Sequence, residues 1–89
     1  MPRAELTLIG KPGCHLCDDA REVITSVIAD VQQRDGSPEI VITELSILDD
    51  PELYDEHVED IPVILINGKV HTFWRVDPAR LTTALLEVR

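Results

Sequence analysis

The sequence predicts an α/β fold with its elements in the order β-α-β-α-β-β-α. Three observations carry that prediction. Compact apolar runs alternate with stretches whose apolar residues recur at helical spacing. Asn67-Gly68 separates two strand-like runs, the pattern of a tight hairpin. Asp50-Pro51 and Asp77-Pro78 each offer an N-cap followed by proline at the first helical position.

In chain order, Glu5-Leu6-Thr7-Leu8-Ile9 is a short apolar strand, ended by Gly10-Lys11-Pro12-Gly13, where two glycines and a proline turn the backbone sharply. From Leu16, apolar residues return at Ala20, Val23, Ile24, Val27, Ile28 and Val31, the spacing of one helix face, with Asp18, Asp19 and Glu22 near its N-terminal end. Many of these residues are β-branched and poor helix formers, so burial must supply what propensity does not. Gln33 to Pro38 closes the helix, and Ile40 to Leu45 reads as a buried strand that completes a βαβ unit. A short helix runs from Asp50-Pro51 to about Val58. The hairpin joins Pro62 to Ile66 with Lys69 to Trp74, and a last helix begins at Asp77-Pro78 with Leu81, Ala84, Leu85 and Val88 on its apolar face.

Residues 1–89 fit one small domain. A chain of this length buries roughly 60 to 68% of its unfolded surface, and 44% hydrophobic with 28% charged residues is the profile of a folded protein. A net charge of -9 opposes binding to nucleic acid and to anionic membrane surfaces, so neither is an expected partner. No apolar run is long enough to span a bilayer, and Met1-Pro2-Arg3-Ala4-Glu5 lacks the apolar stretch of a signal peptide. A monomer in the cytoplasm is the expectation.

The only cysteines, Cys14 and Cys17, form a CxxC. A disulfide across so short a loop restricts the unfolded chain by only about 1.9 kcal/mol, against roughly 3 for a 15-residue loop, so it is a poor staple. In a reducing compartment the pair reads more readily as redox-active or metal-binding than as structural. Cys14 follows a glycine turn and opens a helix, where unpaired amides and the helix dipole stabilise an anion such as a thiolate. The amides of Leu16 and Cys17 are expected to face its sulfur, making Cys14 the attacking thiol and Cys17 the resolving one. Lys11 supports the thiolate and Asp18 and Asp19 oppose it. His15 is either a hydrogen-bond donor to the sulfur or a solvated spacer. Two other readings stay open: both thiols as small apolar fillers, or zinc ligands with His15, His57 or His71. No second ligand pair has metal-site spacing, so no metal and no cofactor is expected.

Gly10-Lys11-Pro12-Gly13-Cys14-His15-Leu16-Cys17, followed by a helix, resembles a thioredoxin-fold active-site loop. Asp60-Ile61-Pro62-Val63 resembles the site where that fold places a cis-proline opposite the cysteines, and Asn67-Gly68-Lys69 resembles the glutaredoxin hairpin. Nearly the whole chain is similar to small bacterial glutaredoxin-like proteins. The resemblance implies a four-stranded mixed sheet with helices on both faces, a dithiol-disulfide oxidoreductase acting through Cys14 and Cys17, and a substrate strand docked at Ile61 and Pro62. X-Pro bonds are trans by default, with only about 5 to 6% cis in folded proteins, so a cis Ile61-Pro62 is an implication of the resemblance alone.

The departures are informative. Glutaredoxins that use glutathione usually carry Thr-Val before the proline and Gly-Gly after the fourth strand, where this chain has Asp60-Ile61 and Thr72-Phe73-Trp74-Arg75-Val76. Glutathione is therefore disfavoured, although Lys11 remains a candidate for a substrate carboxylate and Asp77 for an amine. Thioredoxins usually carry a buried carboxylate on the first strand, which Thr7, Leu8 and Ile9 do not supply, so the Cys17 proton needs another route. From Glu44 to Asp60 the chain has eight acidic residues and no Lys or Arg. Within a Debye length of about 8 Å, such a field repels anions and favours a basic, disulfide-containing protein partner. For Tyr54, Phe73 and Trp74, core packing is the expectation.

Overall fold

In the computed structural model, residues 3–88 are described. Strand β1 spans Arg3–Gly10, helix α1 His15–Gln32, β2 Glu39–Ser46, α2 Pro51–His57, β3 Val63–Ile66, β4 Lys69–Phe73 and α3 Pro78–Leu86. The sheet order is β2-β1-β3-β4, with β1 parallel to β2 and antiparallel to β3, and β3 antiparallel to β4. The expected four-stranded mixed sheet is thus formed.

Side chains alternate across β1, and that alternation divides the core. Ala4, Leu6 and Leu8 point to one face and pack with Ala20, Ile24, Val27 and Val31 of α1 and Leu81 and Leu85 of α3. Ile9 points to the other face and joins Val63 of β3, Ile47 and, at the margin, Leu53 and Val58 from the α2 region. Helices therefore cover both faces, but unequally. The apolar stripe of α1 is the one its sequence spacing marks from Ala20 onward, while at the first turn Leu16 is exposed and Cys17 is buried in its place. Full burial of a residue such as Ile24 contributes about 1.5 to 3 kcal/mol, enough to offset weak helix propensity.

Three expectations are corrected. The strand read as buried, Ile40 to Leu45, is an outer strand whose residues are half-buried or exposed, with Ile42 at 46% and Leu45 at 40% exposure. β2 pairs on one side only, and α1 covers it poorly: Glu44, on the α1 face beside Leu8, meets Arg21 instead of an apolar side chain. Its β-branched run reflects strand formation at a sheet edge, which composition alone does not separate from burial. Next, β3 starts at Val63 and β4 ends at Phe73, so Pro62 precedes one strand and Trp74 follows the other. Finally, Tyr54, Phe73 and Trp74 are all exposed, because aliphatic side chains fill both core clusters.

The turns follow their chemistry. Asn67 and Gly68 adopt φ of 51° and 81°, as a tight hairpin requires. Asn67 also exchanges two 2.8 Å hydrogen bonds with the Glu5 backbone, donating from its amide and accepting on Oδ1, which ties the hairpin to β1. A register shift between Ile64 and Leu65 leaves His71 as the extra residue of β4. Asp50 caps α2 by accepting from the Glu52 amide, and Asp77 caps α3 by accepting from Ala79 and Arg80 at 2.9 and 3.3 Å. Asp77→Ala is expected to lower stability by about 1 kcal/mol, read from the urea midpoint, because those amides lose their partner at a helix start.

Candidate active site

β1 ends at Gly10, whose carbonyl accepts from the Ile47 amide at 2.9 Å while its position in the ladder pairs with Ser46. The loop then turns through Gly13, at φ 74°, and delivers Cys14 as the N-cap of α1. The Cys14 carbonyl accepts the first helical bond, from the Asp18 amide, and its sulfur accepts from the Cys17 amide at 3.1 Å. Of the two amides expected to face this sulfur, that of Cys17 donates; among the described residues, Leu16 gives it no hydrogen bond. Cys14 and Cys17 are joined as a disulfide with their Cα atoms 5.2 Å apart. They differ in access: Cys14 is half-buried at the surface, whereas Cys17 is 1% exposed.

Ile61-Pro62 is cis. Val63 pairs with Ile9, so Pro62 lies beside the end of β1 from which the cysteine loop departs. The Pro62 carbonyl accepts from the Trp74 amide at 2.8 Å. The Ile61 amide donates to the His57 carbonyl at 3.1 Å, and among the described residues the Ile61 carbonyl accepts no backbone hydrogen bond. Lys11 is exposed and stands on the Cys17 side of the loop, lining the same cleft as that residue. His15 is exposed. His71 has its pKa lowered, first by burial and then by Arg80. Among the described residues no three His, Cys, Asp or Glu side chains converge as a metal site.

Trp74 carries more than its sequence position suggests. It is 55% exposed, takes a left-handed backbone at φ 63°, and is pinned by its amide to Pro62 and by Nε1 to the Glu59 carbonyl at 3.2 Å. A bulky residue in that region is uncommon, and the two bonds to the proline loop hold it there. With Leu16, Asp19, Val23 and Arg75 it lines a groove of about 270 Å³ on the side of α1 away from Lys11. Two further features escaped the sequence reading. A Cβ at Gly10 would lie 2.8 Å from the Cys17 sulfur, so this glycine is required by contact. Arg21 bonds both Glu44 and Asp18, and these hydrogen bonds, Glu44 first, raise its pKa. The i,i+3 spacing of Asp18 and Arg21 is the one local signal for that cluster; the Glu44 half depends on strand register.

A four-stranded mixed sheet flanked by helices, with a disulfide-linked cysteine pair at a helix start and a cis-proline beside the strand end from which its loop departs, defines a thioredoxin-fold protein. Residues 5–86 match the glutaredoxin-like domain family (DUF836), and the chain belongs to that family. Its relatives include the uncharacterized protein Rv0508 of Mycobacterium tuberculosis, 26% identical over 81 residues that cover 91% of this chain and 81% of the relative. Among solved structures, a structural genomics target protein from X. campestris, XcR50, is 29% identical with a TM-score of 0.67, covering 90% of this chain and 93% of that one. Mitochondrial thioredoxin 3 from Saccharomyces cerevisiae, in its oxidized form, shares the fold at 12% identity, TM-score 0.63, covering 92% of this chain and 76% of that one. Among the described residues no helix is long and apolar enough to cross a membrane.

Proposed function

We propose that this protein is a dithiol-disulfide oxidoreductase that reduces a disulfide in a protein partner. The observation that carries the reading is the asymmetric pair: Cys14 at the surface, its sulfur accepting a helix-start amide, and Cys17 closed in behind it and bonded to it. In the reduced protein the Cys14 thiolate attacks one sulfur of the substrate disulfide and forms a mixed disulfide, and the other substrate sulfur leaves as a thiolate and takes a proton. The Cys17 thiolate then attacks the Cys14 sulfur, the Cys14–substrate bond breaks, and the second substrate sulfur leaves. Two electrons pass from the protein dithiol to the substrate, and an external thiol reductant returns them.

The substrate backbone docks beside Cys14 on the cis-proline loop. Because the Ile61 amide is already donated to His57, the Ile61 carbonyl is the group that receives a substrate N–H. Glu59 and Asp60 lead into that loop, and this supports a basic partner over the anionic tripeptide glutathione. Cys17→Ser is the test. This variant lacks the resolving thiol, so a genuine substrate is expected to stay covalently attached through Cys14 and to be released by added dithiol. Absence of any dithiol-releasable adduct, in a variant whose Cys14 still reacts with a small disulfide, would reject a protein substrate.

A further inference from the structure

We infer that the cleft beside Gly10 is the route by which the Cys17 thiol gives up its proton, and that Glu44, clamped by Arg21, is the residue that positions the accepting water. The inference rests on the dithiol reading and concerns its second step. Before Cys17 can attack the Cys14 sulfur it must become a thiolate, yet it is 1% exposed. Among the described residues no polar or charged side chain is buried, so no internal base stands behind it. The proton has to leave through the protein surface.

The geometry points to one place. A cleft of about 350 Å³ runs between the cysteine loop, α1 and the outer strand β2, and both Gly10 and Cys17 line it. The nearest atom to a Cβ built on Gly10 is the Cys17 sulfur itself, so the sulfur lies against the glycine wall of the cleft. The volume holds several waters, each needing about 30 Å³ and two or more polar partners. Those partners are the charged wall: Lys11 from the loop, Asp18 and Arg21 from α1, Glu44 from β2 and Asp49 from the connection to α2. Arg21 donates from Nε to Glu44 and from Nη1 to Asp18, at 2.9 Å for the latter, and so fixes two carboxylates at the mouth. Glu44 stands on a strand paired along its length to β1, opposite Leu8, which makes it the best-anchored acceptor in the cleft.

The Cys17 S–H proton passes to cleft water, steadied by the Glu44 carboxylate, and on to solvent. The sulfur's electron pair forms the bond to the Cys14 sulfur, the Cys14–substrate bond breaks, and the departing thiolate takes a proton from solvent.

The test follows both steps on one optical signal. Reduced protein is mixed with dithiobis-nitrobenzoate, a chromogenic aromatic disulfide. Attack by Cys14 releases one nitrothiolate and attack by Cys17 releases the second. Glu44→Gln is expected to leave the first phase unchanged and to slow the second by about 10- to 100-fold near neutral pH, at or below the roughly 100-fold lower end of general-base effects because the group acts through water. The deficit should vanish well above the ordinary thiol pKa of about 8.5, where hydroxide takes the proton. Arg21→Gln, which frees the carboxylate without removing it, should give a smaller deficit with the same pH signature. Glu44 and Arg21 are surface groups, so the unfolding midpoint should hardly move. A second phase with wild-type rate and pH profile in Glu44→Gln overturns the inference, as does a slowing that persists at high pH, or one confined to Asp18→Asn or Asp49→Asn. A missing first phase in the wild type would instead sink the dithiol reading, and this inference with it.

Discussion

Replacing Cys14 by serine is expected to reduce disulfide turnover to the uncatalysed background at every pH, measured with a protein disulfide and a dithiol as electron donor. A serine hydroxyl is not ionised in the range where a helix-start thiol is, and it cannot form the mixed disulfide through which electrons pass. The variant also separates chemistry from folding unusually well. Cys14 is the N-cap of α1, a position where serine is among the preferred residues, and its oxygen can accept the Cys17 amide that the sulfur accepts now. The lost disulfide closes a loop of only a few residues and contributes about 1.9 kcal/mol at most to an oxidised reference state. A folded, inactive Cys14→Ser protein is therefore the expected result. If Cys14→Ser with Cys17→Ser binds and serves its partner as the parent does, the cysteines are incidental and the molecule is an interaction module on a thioredoxin fold.

The elements most legible in the sequence were those set by local chemistry. Asp77-Pro78 fixes the start of α3 through a cap that depends on neighbouring residues, and Asn67-Gly68 fixes a hairpin through positive φ angles few other pairs tolerate. Cys14 was placed at a helix start by the glycine turn before it and the apolar spacing after it. What the sequence concealed depends on contacts between distant segments. Ile40 to Leu45 looks buried because β-branched residues suit any strand, and only the sheet order makes it an edge. The bond from Arg21 to Glu44 exists because the parallel register sets Glu44 beside Leu8. The fourth strand stops before Trp74 because Trp74 takes a left-handed backbone at φ 63° and its in-register partner, Pro62, accepts the Trp74 amide but has no N–H to return. The cis bond at Ile61-Pro62 was accessible through family resemblance and through nothing local.

Gly10→Ala is expected to lower the stability of the reduced protein by about 1 to 3 kcal/mol. The cause is contact, not conformation. The added methyl would lie 2.8 Å from the Cys17 sulfur and 3.2 Å from its Cβ, whereas at Gly13 it would meet nothing within 4 Å. Relief by moving the backbone is blocked on the strand side, where the Gly10 carbonyl holds the Ile47 amide and its neighbours are paired across to β2. Relief by moving Cys17 draws its sulfur off the line to Cys14, so the second nitrothiolate phase should slow while the first is retained. Urea unfolding of a double-mutant cycle decides the mechanism. Cys17→Ala removes the atom in closest contact and leaves the 3.2 Å one, so Gly10→Ala should cost markedly less in that background, with a coupling of about 0.5 to 3 kcal/mol. Equal costs in both backgrounds would mean that the sulfur of Cys17 does not rest against Gly10.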